Sequence, residues 1–246
     1  MQVIQKWEKR LLGRSEAHLW VYVDQRNILP ARCIEVLDIH EKNRYDQYPE
    51  ASKKREFLIG RLFLKHILAQ YTERYPTRIK ILLDNQRKPF LQDHIFHINL
   101  SHSHNVYACL IGQKPLGVDV EYVLREPLKN HFSHVFTDAE IRTLQSLKET
   151  EKGNYFFQLW TMKEAFWKAW KNQENLPFNQ FSVSFDPVSI HDVLSEESQK
   201  SWHFAFENSF ENYLIAMAIE KNPEESLVIK TFQFAASLQN NLFTYP

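Results

Sequence analysis

Cysteine is almost absent from this chain: Cys33 and Cys109 are the only two in 246 residues. They lie far apart, and Cys109 sits in an apolar run, so the expectation is a buried free thiol in a reducing compartment, not a disulfide framework. Net charge is missing as well, because 30 basic residues balance 30 acidic ones. No global field draws such a chain onto nucleic acid or an anionic membrane. No window approaches the roughly 18 apolar residues of a membrane span, and the N-terminal stretch lacks an apolar core followed by a small-residue cleavage site. A cytoplasmic protein with no nucleic-acid or membrane partner is expected. Familiar catalytic signatures are also missing. Neither Ser101 nor Ser103 in NLSHSHN is flanked by the glycines of a nucleophile elbow. His94, His97, His102 and His104 cluster, but without cysteine ligands or a helical HExxH they form no specific transition-metal set.

What remains is globular composition, 43% apolar and 24% charged, with material for a sizeable core. HLWVYVD (18–24) is aromatic and β-branched and reads as an early strand. Helical patterning follows over 31–45 and strongly over 50–75, where Phe57, Leu58, Leu62, Leu64, Ile67 and Leu68 repeat at helical spacing before Pro76. Residues 79–91 read as a strand and polar turn. Residues 96–112 read as a short strand, a polar Ser/His turn and a second strand. GVDVEYV (117–123) is another strand. FTDAEIRTLQSL (136–147) is a helix with Glu140 at the capping-box position relative to Thr137. A helix over 154–171 precedes strands at 181–185, 202–207, 212–220 and 228–234. NVYACLI from Asn105 echoes NYLIAMA from Asn212, and REFLIGRLFLK from Arg55 echoes KEAFWKAWKN from Lys163. The similar offsets predict two related halves, 1–114 and 115–246, with ligand sites near the seam.

Three charge patterns invite chemistry. Asp119 and Glu121 share one face of their strand, about 7 Å apart, where like charges repel. Either that face is solvated or a cation such as Mg²⁺ sits against it. Glu164 and Lys168, four apart in WTMKEAFWKAW (160–170), form either a helix-stabilising ion pair or a working pair of charges. Lys53, Lys54, Arg55 and Arg61 cluster in the first turns of the long helix, which from composition reads as a solvated face. Trp160, Phe166, Trp167 and Trp170 read as core packing.

Taken in order, NLSHS, GVDVE, FTDAE and WTMKEAFWKA resemble the motifs of the 4'-phosphopantetheinyl transferases, specifically the larger monomeric type that activates surfactin synthetase. The resemblance runs from about Arg55 to Phe185. It implies an α+β fold of two similar pseudo-symmetric lobes, each a small antiparallel sheet packed on a long helix. It implies a monomer that transfers the phosphopantetheine arm of coenzyme A to a serine of an apo-carrier protein (acyl, peptidyl or aryl), releasing adenosine 3',5'-bisphosphate. By that resemblance Asp119, Glu121 and Glu164 hold Mg²⁺, and Glu164 or a metal-bound water is the base. Lys168 binds the diphosphate and assists the leaving group. His102, with Ser101 beside it, contacts the 3'-phosphate; Lys88 and Pro89 line the nucleotide, and Arg55 and Arg61 clamp phosphate. Arg87 stands where the family has glycine. Carrier docking is expected between Leu124 and Lys152, through Arg125, Lys129 and Arg142. The alternatives are a Mg²⁺-dependent nucleotide-diphosphate hydrolase and a non-catalytic module that binds coenzyme A or a carrier.

Overall fold

The computed structural model describes residues 10–25, 29–85, 88–92, 96–123, 132–170 and 176–234. Its main elements form four layers: helix, sheet, sheet, helix. The first sheet has the order β11-β1-β5-β4, from β1 (Glu16–Val23), β4 (His97–Ser103), β5 (Val106–Gly112) and β11 (Val228–Gln233). The second has the order β6-β10-β9, from β6 (Leu116–Tyr122), β9 (Trp202–Glu207) and β10 (Tyr213–Glu220). Strand alternation divides their side chains between two faces. Trp20, Tyr22, Tyr107, Cys109 and Ile111 face α2 (Ala51–Thr72), which buries Leu58, Leu62, Phe63 and Ile67 against them. Leu19, Val21, Ala108 and Leu110 face Val118, Val120, Ile215 and Met217 of the other sheet. Ala216 and Ala218 turn outward onto α4 (Glu149–Ala169), which buries Phe157, Met162, Ala165 and Phe166. At roughly 1.5–3 kcal/mol for each fully buried large side chain, these three interfaces are the main source of cohesion.

Several sequence expectations change in detail. The 31–45 helix is a 3-10 segment, Ala31–Val36, followed by α1 (Ile39–Gln47), whose Asp38 and Glu41 form a capping box. Among the described residues of 79–91 the regular structure is the short ribbon of β2 (Leu82–Leu83) and β3 (Pro89–Phe90). The supposed Ser/His turn is strand as far as Ser103; the chain reverses at His104 and Asn105, with His104 in the left-handed region at φ 51°. α3 (Asp138–Ser146) carries the expected Thr137–Glu140 box, and α4 begins five residues before the expected start at 154. A hairpin of β7 (Ser182–Phe185) and β8 (Val188–His191), then the short α5 (Glu196–Gln199), precede β9.

The first sheet is not wholly antiparallel. β11 runs parallel to β1 from Glu16↔Val228 to Val21↔Gln233, and Phe232 and Phe234 join the α2-facing core. Strand pairing therefore crosses the seam at 114 and 115. β5 and β10 match the strand echo, each lying inside its sheet. The helix echo is not matched by position: Arg55 stands near the start of α2, whereas Lys163 stands near the end of α4.

Candidate active site

β4 and β6 are edge strands of the two sheets, and side chains join them where backbone pairing does not. Asn99, Ser101 and Ser103 alternate along β4 and so share a face. The Val118 amide donates to Asn99 Oδ1 at 2.9 Å, and Ser101 Oγ donates to Asp119 Oδ1 at 2.7 Å. Ser103 Oγ donates to Glu121 Oε2 at 3.2 Å and accepts from the Tyr122 amide at 3.1 Å. The polar letters of NLSHS thus satisfy an edge that would otherwise expose unpaired groups.

α4 lies directly on β6 because residue 117 is glycine. A Cβ there would stand 2.0 Å from the Ala165 carbonyl oxygen and 2.6 Å from the Ala169 nitrogen. This approach brings Lys168 Nζ to 2.5 Å from Asp119 Oδ1, 3.2 Å from Ser101 Oγ and 3.7 Å from Glu164 Oε2. Two turns earlier on the helix, Trp160 Nε1 donates to Glu121 Oε1 at 2.7 Å. Ser101, Asp119, Glu121, Glu164 and Lys168 are therefore brought together. The strand face is not solvated at Asp119, which is only 4% exposed; the Glu164–Lys168 ion pair does form, at 3.7 Å, but Lys168 lies closer to Asp119, at 2.5 Å.

The electrostatics follow from enclosure. Burial pushes the Glu121 carboxyl above its usual range, and the Asp119 charge adds to the shift; Trp160, Ser103 and Lys168 oppose it. Burial also raises Glu164, with Lys168 pulling back and Asp119 and Glu121 adding. For Lys168, burial works against the ammonium, but Asp119 and Glu164 outweigh it and raise the group further. Asp119 Oδ2 is buried with no hydrogen-bond partner. An orphaned carboxylate oxygen beside two more acids fits a hard divalent cation. Among the described residues no group of three or more histidine, cysteine, aspartate or glutamate side chains is placed so that it could hold a metal ion. The donor set fits an ion such as Mg²⁺, which takes one or two carboxylates and completes its shell with water and phosphate oxygens.

A second cluster lies at the start of α2. Exposed His102 stacks on Tyr107, with centroids 5.3 Å apart and 14° between the planes, and its Nε2 is 3.4 Å from Glu56 Oε2. Arg55 Nη2 donates to Asp24 Oδ2 at 2.5 Å, and both charges act on Tyr107. Lys88 Nζ donates to the Trp170 carbonyl at 3.1 Å, and Pro89 pairs with Leu83 in the ribbon. Arg61 lies apart from this cluster. Six residues separate it from Arg55, which turns it to another face of the helix, where it lies buried 3.4 Å from Glu41 and over the Phe57 ring. Glu41 is held more closely by buried Lys65, at 2.6 Å. Lys54 instead lies over the Tyr45 ring. Arg142 is exposed on α3, whereas Arg87, His94, Arg125 and Lys129 lie outside the described residues.

Sequence reasoning gave no role to Asn99 or Gly117, weighed Ser103 only as a nucleophile and read Trp160 only as core packing. Their signals were polar alternation inside a strand, a glycine at its start, and an indole whose N–H needs a partner when buried.

A chain with this α+β architecture and this junction of acids and lysine belongs to the 4'-phosphopantetheinyl transferase family. Residues 115–218 match the 4'-phosphopantetheinyl transferase superfamily, and residues 28–114 match the N-terminal 4'-phosphopantetheinyl transferase family. Among particular relatives, 4'-phosphopantetheinyl transferase HetI of Nostoc sp. is 31% identical over 162 residues, covering 63% of this chain and 68% of the relative. 4'-Phosphopantetheinyl transferase Sfp of Bacillus subtilis is 27% identical over 128 residues, covering 51% and 56%. The L-aminoadipate-semialdehyde dehydrogenase-phosphopantetheinyl transferase of Rattus norvegicus is 24% identical over 227 residues, covering 82% and 72%. The chain spans about two thirds of the length of the first curated relatives it matches, 68%, 64% and 66% of three of them.

Proposed function

We propose that this chain transfers the 4'-phosphopantetheine group of coenzyme A to a serine hydroxyl of an apo-carrier protein (acyl, peptidyl or aryl), yielding the holo-carrier and adenosine 3',5'-bisphosphate. The observation that carries the reading is the contact of Lys168 with Asp119, Ser101 and Glu164 at the edge of both sheets. The serine oxygen bonds to the β-phosphorus while the bond to the nucleotide's bridging oxygen breaks. Glu164 takes the serine proton, and its raised pKa suits a base working near neutrality. Lys168 stays protonated and places positive charge against the diphosphate and its departing oxygen. Asp119 and Glu121, with Glu164, would hold Mg²⁺, which when bound neutralises charge on the phosphoryl oxygens.

His102 and Arg55 face the nucleotide's phosphates, with Ser101 beside them and Lys88 and Pro89 along the wall of the site. Arg61 is left out because its side chain is only 11% exposed beside Glu41, whereas that of Arg55, paired with Asp24, is 28% exposed. In this reading coenzyme A lies at the junction of two pseudo-symmetric lobes, 1–114 and 115–246, the latter lending β11 to the former. The protein works as a cytoplasmic monomer; among the described residues no helix is long and apolar enough to cross a membrane. Arg142, with Arg125 and Lys129, supplies the carrier-docking surface; charge reversal at Arg142 is expected to raise the carrier KM and leave coenzyme A affinity unchanged.

The hydrolase and the non-catalytic module find no support, since the named relatives are transferases. Incubation of the protein with Mg²⁺ and coenzyme A, with and without apo-carrier, separates all three. Carrier-dependent release of adenosine 3',5'-bisphosphate is expected. Release without a carrier identifies the hydrolase; binding without release identifies the module.

A further inference from the structure

The transfer chemistry just described leaves the most thoroughly buried ion pair near the site without a task. Lys163, next to Glu164, is 0% exposed, and its Nζ lies 2.8 Å from Glu140 Oε2. It also donates to the carbonyl oxygens of Phe178 and Phe181, at 2.8 and 2.5 Å. The three ammonium hydrogens thus match three acceptors. Glu140 accepts from the Thr137 amide at 2.8 Å through Oε2 and from the Val183 amide at 2.9 Å through Oε1. Burial pulls the Lys163 pKa down and Glu140 opposes the shift. The network is satisfied at every charged atom, and it ties the start of α3 and the 178–183 segment to α4.

We propose that Glu140 and Lys163 are positioning residues for the Glu121 carboxylate, acting through Phe178 and Trp160. Lys163 fixes the backbone at Phe178, and the Phe178 ring stacks on both Trp160 and Trp167, at 6.0 Å and 13° and at 5.7 Å and 28°. Trp160 is thereby held beside β6, where its N–H meets Glu121 Oε1 at 2.7 Å. An indole has two side-chain torsions; stacking and the N–H bond settle both. Glu121 has its second oxygen on Ser103, so Trp160 and Ser103 together fix the carboxylate plane. The pair that reads in the sequence as a helix cap and a stray motif lysine therefore orients a metal-binding acid from a distance.

The inference rests on the proposed metal site, so its test reads Mg²⁺ binding directly, by calorimetry on full-length protein saturated with coenzyme A. Glu140→Gln combined with Lys163→Met removes both charges, which avoids leaving one buried and unpaired. Phe178→Leu breaks the chain in the middle with the ion pair intact, and serves if the double variant does not fold. Each is expected to weaken Mg²⁺ binding about tenfold, the usual scale for losing a partner of a metal ligand. Trp160→Phe is expected to do the same, and adding it to either variant is expected to cost nothing more. Unchanged Mg²⁺ affinity in a folded variant, or losses that add, would overturn the proposal. Failure of the wild-type protein to bind Mg²⁺ at all would overturn the metal site and this inference with it, whereas Mg²⁺ binding without transfer would count against the transferase reading alone.

Discussion

Glu164 illustrates how enclosure serves chemistry and taxes stability. Its folded pKa lies above the ordinary carboxyl value of 4.5 because burial disfavours the charge. The fold therefore binds its proton more tightly than the unfolded chain does. The contribution is favourable below the unfolded value and is lost as pH rises through the raised one. Glu164→Gln is accordingly expected to raise the urea midpoint at pH 7; a lower midpoint would contradict the assignment. The same sign governs the metal. Protons compete for Glu121 and Glu164, so the Mg²⁺ concentration for half-maximal activity is expected to rise as pH falls from 7 toward the raised carboxyl range. A half-saturation flat with pH would count against both acids as ligands. At this scale the sequence was informative where charge interrupts a pattern: Asp119, Glu121, Glu164 and Lys168 all stood out and all meet. It was uninformative for Arg61, because a basic residue on a long helix looks the same whether it faces a ligand or a buried Glu41.

At the scale of elements, the contact of α4 with β6 sets the site, and Gly117 sets the contact. Gly117→Ala places a methyl 2.0 Å from the Ala165 carbonyl oxygen, so helix and strand must part. Overpacking of this kind costs roughly 1–3 kcal/mol, and the displacement separates Lys168 from Asp119. The expected result is a loss in kcat/KM of about 10²-fold, the scale of a 1 Å misplacement, beyond what the fall in stability at assay temperature accounts for. Steady-state rates and denaturation curves on one preparation check it, and wild-type kcat/KM in Gly117→Ala would sink the argument. Most elements were legible from β-branched and aromatic runs in the strands and from apolar repeats in the helices, although β1, β5 and β10 bury both faces. β7 matches the strand expected at 181–185, but the ribbon of β2 and β3 and the strand β8 were less legible, since segments of two to four residues are too short to show a period.

Across the whole molecule, the two sheets stack on a shared apolar interface and meet at two edge strands bridged by side chains. Strand β11 returns from the end of the described chain to β1, a crossing that no local pattern announces because pairing partners are chosen by tertiary packing. Phe234, just beyond it, is 2% exposed against Tyr22 and Phe63. Phe234→Ala is expected to cost roughly 3–5 kcal/mol, with thermal unfolding of the first sheet as the readout; a variant as stable as wild type would place β11 outside the core. The measurement that bears most directly on the account is intact-protein mass of an apo-carrier after incubation with Mg²⁺, coenzyme A and either wild-type protein or Glu164→Gln, with coenzyme A affinity measured alongside. One phosphopantetheine added to the carrier serine by the wild type, and none by a variant that still binds coenzyme A, is the expected result. An unmodified carrier with the wild type, or equal modification by both proteins, would contradict the account.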